Sequence, residues 1–116
     1  MEVVSYEISK KLKEKGFNTE FKYSLGYYDT LGNFMSAADH WFLDSWIIAA
    51  TISQVLKWLR EEKKIHIQVL FVCPPNRWEY VTIRTTNCEM RGMQASFISY
   101  ELAALAGIEY VIDNLI

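Results

Sequence analysis

The sequence predicts an α+β fold: a two-layer arrangement in which an antiparallel sheet of three to four strands carries about three α-helices on one face, in a single domain spanning residues 1–116. Three observations predict it. Three stretches repeat their apolar residues at helical spacing. Two adjacent stretches, 65–72 and 78–86, alternate residue by residue on either side of a Pro-Pro turn. The last helical stretch is rich in small residues, which let a helix approach a sheet closely.

The first helix is predicted over 3-VVSYEISKKLKEKG-16, where Val4, Ile8 and Leu12 share one side and Lys10, Lys11, Lys13, Glu14 and Lys15 cover the other. Gly16 suits the left-handed conformation that closes many helices. Residues 20–28 set Phe21, Tyr23 and Leu25 against Glu20, Lys22 and Ser24, the alternation of a strand with one buried side. The turn-forming 29-DTLGN-33 then predicts a hairpin returning through Phe34 and Met35. Residues 36–50 give no assignable element.

The second helix is predicted over 52–63, with Thr51 and Gln54 spaced as a capping box and Ile52, Val55, Leu56 and Leu59 forming the apolar stripe. Strands follow at 65-IHIQVLFV-72 and 78-WEYVTIRTT-86, joined by 73-CPPNR-77, whose prolines cannot donate to a ladder. Ile65, Ile67, Val69 and Phe71 are expected to face inward with Val81 and Ile83, which leaves His66, Gln68, Trp78, Tyr80, Thr82 and Arg84 on an open face. Residues 87–95 show no clean period. Ser99 is the predicted cap of a last helix with an apolar stripe of Leu102, Leu105, Ala106, Ile112 and Leu115, and Gly107 in its interior calls for a packing reason.

Composition bounds the function classes. A chain of 116 residues with 51% hydrophobic and 22% charged residues is globular in character rather than disordered. Twelve basic against 14 acidic residues leave a formal charge of -2, which gives no net attraction for nucleic acid or anionic lipid. Two cysteines, Cys73 and Cys88, form neither a disulfide framework nor a Cys-x-x-Cys pair. The N-terminus shows no secretory signal pattern, and the uncharged run 45–56 falls short of the ~20 apolar residues a membrane-spanning helix needs. A cytoplasmic protein with reduced thiols is expected.

The segments 51-TISQVLKWLREEKKIHIQV-69, 78-WEYVTI-83 and 99-SYELAALAGIEYVIDNLI-116 carry a resemblance. A capped helix ending in Trp-Leu-Arg-Glu, a β-hairpin and a closing helix of the Ser-Tyr-x-x-Ala type resemble a group of small uncharacterised proteins encoded by prophages and mobile elements of gut Bacteroides. The resemblance covers the second half to two thirds of the chain. It implies the helix–hairpin–helix core and a phage or mobile-element origin, and it implies no activity.

Five kinds of site are conceivable from these residues. In 39-DHWFLDSW-46, Asp39, His40 and Asp44 suggest metal ligands for an enzyme, with His66 as a distant fourth, yet only His40 and Asp44 have the spacing of a helix-borne pair. The plainer reading is a flap whose Trp41, Phe42 and Trp46 bury apolar area. Thiol catalysis is disfavoured because His66 sits about 20 Å along an extended strand from Cys73. No phosphate-binding glycine loop occurs, the carboxylates form no convergent pair, and neither cofactor nor metal is expected. The face expected to be open, with Trp78, Tyr80, Arg84, Gln68 and His66 and with Trp41 and Trp46 near it, is the best candidate. Aromatic rings and arginine anchor protein contacts and self-association, and the same face offers a stacking platform for single-stranded nucleic acid as the alternative.

Overall fold

The computed structural model describes residues 3–17, 26–28, 31–36 and 47–116. The protein is α+β, with antiparallel strands and, among the described residues, three helices. The chain divides into two compact units, Met1–Thr51 and Ile52–Ile116, and the strands among the described residues form two three-stranded sheets.

In the first unit, α1 runs Tyr6–Glu14. It starts later than the apolar spacing suggests because the extended Ser5 accepts the Ile8 N–H with its side chain and stops the helix there, while Val4 donates its N–H to the Ala50 carbonyl. The C-terminus closes as expected around Gly16 at φ 90°: Phe17 N–H bonds Leu12 O and Gly16 N–H bonds Lys13 O, the paired bonds of a Schellman motif. Leu12 and Phe17, which bracket the motif, are both buried.

The expected hairpin is present as β1 (Gly26–Tyr28) and β2 (Phe34–Ser36), with Tyr27 opposite Met35. Residues 20–25 of the predicted strand lie outside the described residues. A third strand, β3 (Ile47–Ala49), pairs antiparallel with the other side of β1. It falls in the stretch that gave no sequence signal, and three residues are too few to display a period. Helix α1 packs on β3. The Tyr28 ring stacks on Tyr6 at 5.5 Å, and its hydroxyl donates to the Val4 carbonyl at 2.8 Å.

The second unit opens with α2 (Ile52–Glu62), which buries Ile52, Val55 and Leu59 as the stripe predicts. Three long strands follow: β4 (Ile65–Val72), β5 (Arg77–Arg84) and β6 (Met90–Phe97), in the order β4-β5-β6. Strand β6 was not visible as a period. Its register against β5 shifts twice, between Trp78 and Glu79 and between Tyr80 and Thr82, and each irregularity breaks the alternation by which a strand is recognised. Finally α3 (Tyr100–Asn114) packs against all three strands and against α2, and α2 also packs on β4. Ser99 caps α3 as predicted, accepting the Leu102 N–H at 3.1 Å.

Two assignments of buried faces are corrected. The side of α3 that is buried is Ala103, Ala104, Gly107, Ile108, Val111 and Ile112, not the stripe through Leu102, Leu105 and Ala106, and Leu102 is 47% exposed. The helix is apolar on most of its circumference, so bulk does not identify the inner side. Close approach does, because a methyl group on Gly107 would lie 3.0 Å from Ile67 Cγ2 and 3.2 Å from Tyr80 Cγ.

The second correction concerns β5. Its register sets Ile65 opposite Arg84, Ile67 opposite Thr82, Val69 opposite Tyr80 and Phe71 opposite Trp78. Directly paired residues point to the same side of a sheet. Trp78, Tyr80, Thr82 and Arg84 therefore share the α3 side with Ile67, and His66 and Gln68 share the other side with Ile83 and Val81. The expectation placed these two sets of β5 residues the other way round.

Candidate contact surface

The side of the sheet that carries α3 bears a row of aromatic rings. Each is set in place by the register just described. Trp78, on the central strand, pairs with Phe71 of β4 on one side and Phe97 of β6 on the other. Phe71 and Trp78 meet edge to face at 5.2 Å, and Trp78 meets Tyr100 at 5.7 Å with ring planes at 90°. These are the offset and T-shaped arrangements that aromatic quadrupoles favour.

Two residues further along β5, Tyr80 packs against Phe97 at 5.9 Å and Tyr110 at 6.1 Å, under the bare backbone of Gly107. Burial, and after it the neighbouring Tyr110 phenol, hold the Tyr80 hydroxyl above the ordinary phenol range.

The row is graded from core to solvent. Tyr80 is 8% exposed, Trp78 is half-buried, and Phe71 and Tyr100 are 53% and 40% exposed. The gradient has a local cause: Tyr100 is the first residue of α3, so the cover the helix gives β5 begins at Trp78, and the hairpin tip 73–76 lies past it. Ile98, in the bend between β6 and α3, is 72% exposed beside this start, and Cys73, Pro74 and Pro75 are exposed at the tip. The result is an uncharged aromatic and aliphatic surface, with the exposed Arg77 and Glu101 next in the chain to Trp78 and Tyr100. Such a surface can bury apolar area against a partner.

The sequence-predicted residues scatter around this surface. Trp78 belongs to it. Tyr80 belongs to the core of the unit. Arg84 lies on the same side at the opposite end of β5, where its guanidinium Nη2 donates to the Leu115 carbonyl at 3.3 Å and so satisfies the last turn of α3. His66 is half-buried and Gln68 exposed on the other side of the sheet, around a Val81 that is itself buried, so that side is not a bare platform at its centre.

Trp41 and Trp46, with Asp39, His40 and Asp44, lie outside the described residues. Among the described residues, no three His, Cys, Asp or Glu side chains come together as a metal-binding group, and no helix is long and apolar enough to cross a membrane.

Phe71, Phe97, Ile98 and Tyr100 were missed as surface candidates. Alternation reveals which side of a strand a residue takes, and not whether the covering helix reaches that far. One signal was available, namely that Ser99 as the cap sets the start of the last helix immediately beside two strand-borne aromatics.

A charged feature lies at the far end of the sheet. In the β5–β6 connection, the Glu89 carboxylate bonds Arg91 and is thereby held below the ordinary carboxylate range, with Asn87 Oδ1 accepting the Glu89 N–H at 3.0 Å. It tightens a solvent-exposed turn.

Comparison with protein-family models, curated proteins and solved structures returns no match.

Proposed function

We propose that this chain is a small cytoplasmic accessory protein of phage or mobile-element origin that works by protein contact, through the surface built by Phe71, Trp78 and Tyr100. The observation that carries the reading is the graded aromatic row, anchored in the core at Tyr80 and running out to two rings that keep about half their area in water. Aromatic residues held by a rigid base lose little entropy on binding and are enriched at the centres of interfaces.

Covering the free half of one such ring removes roughly 100 Å² from water, worth about 2.5 kcal/mol before the costs of association. Two rings together fall short of a strong complex once those costs of about 4–15 kcal/mol are met, so the partner must add a polar rim or further apolar area. The mobile-element origin is supported by the resemblance of residues 51–69, 78–83 and 99–116 to that group. The cytoplasmic assignment is supported by the absence of a membrane-crossing helix among the described residues and by two exposed, unpaired cysteines.

The test is site-specific photo-crosslinking in the cell that naturally makes the protein, with the reactive amino acid replacing Phe71 or Tyr100, and Arg60 on the exposed side of α2 as the control. Discrete adducts from positions 71 and 100, and none from 60, are expected. Equal labelling from all three positions, or none from 71 and 100, overturns the proposal. Adducts to nucleic acid in place of protein would replace it with single-strand binding on the same rings.

A further inference from the structure

No further inference is drawn: the strongest candidate outside the aromatic surface, the outer edge of β4, which keeps an unbroken eight-residue register with β5 on its inner side and contains no lysine, acidic residue or proline, carries nothing because nothing in the structure shows what covers it.

Discussion

Gly107 of α3 and Tyr80 of β5 touch so closely that a Cβ on the glycine would stand 3.3 Å from the tyrosine Cβ and 3.2 Å from its Cγ. Both of those atoms are next to the backbone of the central strand and cannot swing away, and the third neighbour, Ile67 Cγ2, is buried. Alanine gains about 1 kcal/mol over glycine in an exposed helix interior, whereas overpacking a filled core costs about 1–3 kcal/mol. Gly107→Ala is therefore expected to lower stability by about 1 kcal/mol in urea titration, the reverse of the propensity effect. Gly107→Leu should prevent folding of the helix–sheet unit. An alanine variant more stable than the parent would show that α3 can lift away from the sheet.

The aromatic row predicts a contrast between residues of one chemical kind. Tyr80→Ala removes a ring enclosed by Phe97, Tyr110 and Gly107 and should cost about 3–5 kcal/mol. Phe71→Ser removes a ring that already keeps more than half its area in water, and should cost less than about half as much. Chemical denaturation of the two variants checks the order. Equal losses would place Phe71 in the core and remove the exposed end of the surface.

How much of this was legible turns on one residue of loop length. The alternation in 65–72 identified β4 and its inward residues Ile65 and Ile67, both of which are buried. A five-residue connection over 73–77 would set odd-numbered residues of β4 opposite odd-numbered residues of β5, and so Val69 opposite Val81. The actual turn has four residues, 73–76, and pairs Val72 with Arg77. That single step exchanges the sides of every residue in β5.

Hydrophobicity did not arbitrate, because both sides of β5 are apolar enough: Trp78, Tyr80 and Thr82 on one, Val81 and Ile83 on the other. Capping chemistry was more legible than faces, since Ser99 and Gly16 act through bonds to residues a few positions away and need no knowledge of the tertiary arrangement.

Ser9 offers a stabilising substitution. Its side chain is 2% exposed on the inner side of α1, and its Oγ has no hydrogen-bond partner among the described residues. A buried hydroxyl without a partner costs roughly 1–3 kcal/mol on mutational scales, and alanine is also the better helix former. Ser9→Ala should raise stability by about 1 kcal/mol and the melting temperature by several degrees. A lower melting temperature would mean that the hydroxyl has a partner that matters.

Tyr28 links stability to pH. Burial raises its hydroxyl above the ordinary value of 10.0, because the phenolate would lose its hydration in this site. The hydroxyl must also keep its proton to donate to the Val4 carbonyl. A folded-state pKa above the unfolded one means that the folded protein binds the proton more tightly. The stabilisation is thus complete below the unfolded value near 10, and it is lost as pH rises through the higher folded value.

Tyr80 shifts in the same direction and adds to this alkaline limb. Tyr28→Phe leaves the Val4 carbonyl without its phenol donor and should cost about 1–2 kcal/mol at neutral pH. The same variant should flatten the fall in stability above pH 10, because phenylalanine has no proton to lose. Melting temperatures of parent and variant measured from neutral to alkaline pH should accordingly converge as pH rises. A constant gap between the two curves would show that Tyr28 ionises as freely in the folded protein as in the unfolded chain.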